Sequence, residues 1–181
     1  LEIFAKNGWE AISTDQLAGE ILASDKQVAD LLLGRWGKAV FDERGIVDKK
    51  QIAEIVFSKP HERSWFESIL HPLVRAAWQS MIDKSENSLF VVEIPLLFEN
   101  DLQSHFAHVI SLFASREIQV ARLLERGLPL KQAQGRIDAQ LPVEQKAERA
   151  DSVFLGHGSC AFLERQVLFF LNSFPKKYHP Q

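Results

Sequence analysis

Ser88-Leu89-Phe90-Val91-Val92-Glu93-Ile94, the run SLFVVEI at residues 88–94, is stopped by Pro95. It is short, rich in apolar and β-branched residues, and ends on a helix breaker. That pattern predicts a buried strand of the kind found in parallel sheets. Working outward, AHVISLFA at 107–114 has the same character and predicts the next strand. Trp9 to Thr14, bounded by Gly8 and Asp15, predicts a short strand upstream, and Asp151 to Leu155 a last one downstream.

Helical patterns fill the spaces between. Leu17, Ala18, Ile21 and Leu22 share one face of a helix over 15–23. A second helix over 25–33 is expected to close at Gly34, and a loop containing Gly45 follows over 41–47. Asp48 with Gln51 forms a capping box that opens a helix through Phe57. Pro60 starts another, expected to end near Leu70, and His71-Pro72 restarts the chain into a helix to about Lys84. Ser115 is read as the cap of a helix with Val120, Leu123 and Leu124 as its apolar stripe. Further helices are expected over 129–140, 143–150 and 159–174. Strands alternating with helices imply an α/β fold with a mostly parallel sheet covered on both faces.

Composition sets the outer bounds. Hydrophobic residues are 46% and charged residues 25% of the 181, which fits a globular chain and excludes wholesale disorder. The net charge of -3 argues against a broad nucleic-acid-binding face. The longest strongly apolar stretch, 166–174, is too short to cross a bilayer. Cys160 is the single cysteine, so no internal disulfide can form, and a cytoplasmic protein is expected. The chain opens in what reads as the end of a helix: Leu1, Phe4 and Ala5 are spaced i, i+3, i+4 before the stop Asn7-Gly8. Further residues upstream are expected.

Ligands of open α/β sheets bind at the carboxyl ends of the strands. Asp15 stands at one such end. A carboxylate there can take the proton of an attacking hydroxyl or help place Mg²⁺ through water, and it can equally cap the following helix. Glu93 and Glu99 flank Pro95, Leu96, Leu97 and Phe98 at another end. Glu93 near the end of a buried strand needs a partner, and Glu99 suits a substrate hydrogen bond or an ion pair. Arg122 and Arg126 are i, i+4 neighbours, and Arg136 follows across the Gly127 to Pro129 turn. Such a pair of helices can act as an arginine-bearing lid or simply as a solvated hairpin. His71, expected at a helix start, is a candidate for a phosphate or hydroxyl contact, or a structural histidine.

Other chemistries are absent from the sequence. The segment GRWGKA at 34–39 fails the phosphate-loop pattern, with Leu at 32 and Ala at 39. One cysteine and scattered histidines make no zinc cage, and there is no G-x-S-x-G elbow.

The order and spacing of these segments resemble the dephospho-CoA kinase family along nearly the whole chain. FAKNGWEAISTDQLAGEIL is similar to the end of its phosphate-loop helix, its second strand and its acidic turn. GIVDKKQIAEIVFSKPHERSWFESILHPLVR resembles its acceptor-side helical region with the Leu-His-Pro signature. VVEIPLLFEN matches its V-x-x-P-L-L-x-E segment, and IQVARLLERG, GRIDAQLP and KAERADSVF follow its lid and final strand. The sequence departs from the family at Ser13, where Asp is common, at Lys49, where arginine is usual, and at Gly156-His157-Gly158, where Asn commonly precedes Gly.

The resemblance implies a P-loop NTPase-like three-layer fold in one kinase domain over 1–181. It implies an acceptor-binding helical region over about 48–85 and a lid region over about 115–150. It implies phosphoryl transfer from ATP, with Mg²⁺, to the ribose 3′-hydroxyl of dephospho-CoA, the final step of coenzyme A synthesis. Asp15 then falls at the position of the catalytic base. His71, Pro95, Leu96 and Glu99 fall around the acceptor, and Arg122, Arg126 and Arg136 in the nucleotide lid, with Gln140 completing its R-I-x-x-Q pattern. The family's first strand and phosphate loop, roughly 15–20 residues, are expected upstream of Leu1, and this chain alone is expected to be inactive without them. ATP and dephospho-CoA are the expected partners, with no nucleic acid or membrane, in a monomer or weak homo-oligomer. Two alternatives stand beside this reading: another P-loop nucleoside or nucleotide kinase, and a non-catalytic nucleotide-binding relative.

Overall fold

The computed structural model describes residues 1–87 and 89–174. They fall into two compact units, 1–94 and the residues from 95 onward.

The first unit opens with a short helix α1 (Glu2–Lys6) and strand β1 (Glu10–Ser13). Asn7 ends α1, and Gly8, at φ +85°, makes the turn into β1. Helix α2 (Thr14–Ser24) leaves β1 at once, capped by Ser13, whose hydroxyl accepts from the Gln16 amide. Asp25 caps α3 (Lys26–Trp36) through the amides of Gln27 and Val28. The expected stop at Gly34 is passed. The helix runs on to Gly37, which takes φ +69° and so supplies the left-handed geometry that a helix end requires. A 3₁₀ turn and a loop follow, closed by an antiparallel bridge between Phe41 and Val47. Inside that loop the Asp42 carboxylate accepts from the amides of Arg44 and Ile46. Asp48 caps α4 (Lys49–Ser58), as its sequence signature predicts.

Helix α5 (Pro60–Lys84) is one continuous element, so the predicted break at His71-Pro72 does not occur. Pro72 cannot donate to the carbonyl of Ser68, which costs the helix a hydrogen bond. The buried stripe Leu70, Val74 and Trp78, at i, i+4, i+8, carries the helix through that defect. Packing of α5 against α2 and α4 supplies the compensation. Glu62, at its start, accepts from Arg35 Nε at 3.1 Å and from Trp36 Nε1 at 2.8 Å, tying α5 to the end of α3.

Strand β2 (Phe90–Glu93) pairs with β1 in parallel, with Ile12 opposite Val92 and Ser13 opposite Glu93. Parallel pairing is as expected. The burial is not, because β2 is half-buried and Glu93 is exposed, so its charge needs no buried partner. The core of this unit gathers Phe4, Ile12, Leu22, Val28, Leu32 and Val40 with the α5 stripe.

The second unit begins with a compact turn over 95–101, in which Asp101 adopts φ +50°. Strand β3 (Ile110–Phe113) leads to α6 (Arg116–Glu125). Ser115 holds the cap position, but its hydroxyl bonds the Glu117 carboxylate rather than an amide of the helix. The predicted stripe of α6 is not buried either, and Leu124 stays 43% exposed. Gly127, at φ +83°, turns the chain into α7 (Leu130–Asp138), which packs on α6. Arg116 closes this hairpin by an ion pair to Asp138 at 2.7 Å. Helix α8 (Val143–Arg149), strand β4 (Ser152–Leu155) and helix α9 (Cys160–Ser173) complete the unit, with β4 parallel to β3. Its core holds Phe98, Val109, Ala133, Phe154 and Val167. No helix of the described residues is long and apolar enough to cross a membrane.

Candidate active site

In the first unit Asp15 stands where β1 runs into α2. Thr14 is buried, and its hydroxyl donates to the Glu93 carbonyl at 2.9 Å, pinning the start of α2 to the end of β2. Ser13 performs the capping that Asp15 was equally suited to perform. Asp15 lies in the first turn of α2, exposed, and among the described residues its carboxylate has no hydrogen-bond or ion-pair partner. It is an acid in the first turn of α2, just past the end of β1, where it also meets the positive end of the helix dipole. His71 lies on α5, the helix that packs on α2, half-buried beside the Leu70–Val74–Trp78 stripe and well inside the helix rather than at its start.

In the second unit Pro95, Leu96 and Glu99 share the 95–101 turn, built by hydrogen bonds from the Asn100 and Leu102 amides to the carbonyls of Leu96 and Leu97. Its hub is Lys146 on α8, which sequence reasoning missed. The Lys146 ammonium reaches Glu99 Oε1, the Pro95 carbonyl and Gln140 Oε1 at 2.9, 2.9 and 3.0 Å. The same Glu99 oxygen accepts from the Leu141 amide at 2.8 Å. Burial pushes the Glu99 carboxyl up, yet the hydrogen bonds from Lys146 and Leu141 outweigh it and hold the group below the ordinary glutamate range. Glu99 thus fixes the turn to the α7–α8 junction, and Gln140 takes part. A single lysine in a charged helix gives no sequence signal for this.

The three arginines differ in their surroundings. Arg122 is half-buried and donates to the carbonyl of Gly156, just past β4. Gly156 itself is packed so closely that a Cβ there would stand 3.1 Å from the Phe113 carbonyl oxygen. Arg126 ends α6, exposed, with no partner among the described residues. Arg136 is exposed on α7. His157, in the Gly156-His157-Gly158 turn where the sequence departs from the family, accepts from the Ser115 amide at 3.3 Å and lies against the Phe113 ring, tying the turn after β4 to the start of α6.

Parallel strand pairs alternating with helices make this an α/β fold of the P-loop NTPase-like class, and solved structures agree on the fold. One from Thermus thermophilus, TT1252, superposes with a TM-score of 0.77 at 28% identity, covering 96% of this chain and 89% of that one. A dephospho-CoA kinase from Campylobacter jejuni gives 0.68 at 27%, covering 97% and 90%. The dephospho-CoA kinase family profile matches residues 1–161, and the chain belongs to that family. Curated dephospho-CoA kinases from Thermosynechococcus vestitus and Enterococcus faecalis are 34% and 31% identical to it. They cover 88% and 91% of this chain, and the matches span 79% and 84% of their own lengths.

Proposed function

We propose that this chain serves its family's reaction, ATP-dependent phosphorylation of dephospho-CoA to coenzyme A by the complete gene product, with Asp15 as the group that receives the proton of the ribose 3′-hydroxyl. One observation carries the assignment: Ser13 caps α2, so Asp15 stands unpartnered at the end of β1. An acceptor hydroxyl hydrogen-bonded to that carboxylate attacks the γ-phosphorus, the bond to the leaving oxygen of ADP breaks, and the hydroxyl proton passes to Asp15. His71 on α5 and the 95–101 turn with Pro95, Leu96 and Glu99 are assigned to the acceptor. In this reading Glu99 shapes the turn through Lys146. Arg126, Arg136 and Arg122 are assigned to the charge of the transferring phosphoryl group, with Arg122 also bracing the lid on Gly156. Residues 1–181 are read as one kinase domain, with ATP and the acceptor as its partners in the cytoplasm.

A magnesium ion would neutralise phosphate charge. Among the described residues no three acidic, histidine or cysteine side chains cluster as a metal cage. An ion held mainly by nucleotide phosphates and water would need only one or two carboxylates, and Asp15 and the exposed Glu93, paired across from Ser13, could supply them.

The test is ATP-dependent conversion of dephospho-CoA to coenzyme A by the complete gene product, read by mass spectrometry, with adenosine, AMP and cytidylate as rival acceptors. Selective formation of coenzyme A is expected. Preference for a rival acceptor assigns another nucleotide kinase activity, and no turnover by a folded protein assigns a binding role.

A further inference from the structure

Gly19 lies inside α2, where glycine is among the least favourable of residues. Its backbone has no positive φ to explain it. The space above it is filled by a single side chain. A Cβ at Gly19 would stand 2.7 Å from the Lys49 ammonium nitrogen and 3.8 Å from Lys49 Cε, with no other described atom from beyond its own stretch of helix within 4 Å. The head of Lys49, reaching across from the first turn of α4, therefore rests on the bare backbone of α2. Any larger residue at 19 would push it away.

Lys49 is exposed, and its ammonium has no hydrogen-bond or ion-pair partner among the described residues. Gly19 is four residues after Asp15, so the two share one face of α2, one turn apart. A turn advances about 5.4 Å along the axis, comparable to the span of a ribose from its 3′-oxygen to its 5′-phosphate. An unpaired ammonium with three donors is a compact point charge suited to phosphate oxygens.

We propose that Lys49 is an acceptor-binding residue: it grips the anionic diphosphate of the acceptor and so holds the ribose hydroxyl at Asp15. The assignment rests on the dephospho-CoA reading above and adds its charge recognition. Gly19 is the positioning residue that keeps the ammonium on the Asp15 face.

The experiment compares Lys49→Ala, Lys49→Arg and Gly19→Ala with the wild type in the complete gene product. It reads KM for dephospho-CoA, KM for ATP, kcat and the thermal midpoint. Lys49→Ala is expected to raise the acceptor KM about tenfold or more, leave the ATP KM unchanged and flatten the salt dependence of the acceptor KM. Lys49→Arg keeps the charge and stays within about threefold of wild type. Gly19→Ala is expected to raise the thermal midpoint by roughly 2–4 °C, because it favours the helix, while also raising the acceptor KM. A purely structural glycine does not give that opposite pair of effects. Wild-type acceptor KM in both Lys49→Ala and Gly19→Ala, with normal turnover, overturns the Lys49 assignment alone. A wild-type protein that neither binds nor phosphorylates dephospho-CoA overturns the reading beneath it as well.

Discussion

Lys146 Nζ lies 2.9 Å from Glu99 Oε1, and the two side chains are only 15% and 20% exposed. The pair is half-desolvated and shares its bonds with the Pro95 carbonyl and the Leu141 amide. Replacing Lys146 by Met removes the cation and leaves Glu99 short of a partner. A loss of about 1–3 kcal/mol is expected, measured by urea unfolding. Adding Glu99→Gln to that variant should cost less than the two single losses summed, because the two residues form one unit.

Glu99 and Glu62 are both held below the ordinary glutamate range. For Glu62 the hydrogen bond from Arg35 is the largest cause, with Trp36 adding to it. The unfolded chain therefore binds these protons at a higher pH than the native state does. Their contribution is complete above the ordinary glutamate value of about 4.3 and is lost as pH falls below it through the native values. Thermal midpoints are expected to fall between pH 5 and pH 3, and the double variant Glu62→Gln with Glu99→Gln should show a shallower fall in that window.

Asp15 and Ser13 are two residues apart and should separate cleanly. Asp15→Asn is expected to lower kcat by roughly 10²–10⁴-fold, with dephospho-CoA affinity by calorimetry little changed and the thermal midpoint near wild type. Ser13→Ala removes the cap and should cost about 1 kcal/mol of stability while catalysis persists. Full activity in the Asn variant would remove Asp15 from the chemistry.

Arg122 and Arg126 share a helix face but not a role in stability. Arg122→Ala loses the bond to Gly156 and should cost about 1–2 kcal/mol as well as activity. Arg126→Ala touches nothing in the fold, so stability should stay within about 0.5 kcal/mol while kcat falls. Paired melting curves and turnover assays distinguish them.

Much of this was legible before any coordinates. The four strands announced themselves because short apolar, β-branched runs ended by Pro, Gly or Asp have few other uses. Asp48 capped its helix as its spacing with Gln51 foretold. Errors arose where a local rule met tertiary packing. Pro72 should break a helix, and the Leu70–Val74–Trp78 stripe overrides it. Gly34 should stop a helix, and Gly37 does so instead. The place of Asp15 was readable, but its freedom was not, since only the Ser13 hydroxyl's bond to Gln16 relieves it of capping. Lys49 stood out only as a lysine where arginine is usual, and Lys146 did not stand out at all. Lys146 meets Glu99 and Pro95, far away in the chain, and a lone lysine carries no periodicity.

The register of β1 and β2 also has a consequence for biosynthesis. Ile12, 3% exposed in the native fold, pairs across strands with Val92. At about 5–20 residues per second, the roughly 80 residues between them take about 4–16 s to translate. For that interval the Ile12 segment waits in the nascent chain without Val92. Ribosome-associated chaperones that shield such segments are expected to engage this protein early, and to let go once Val92 has cleared the exit tunnel.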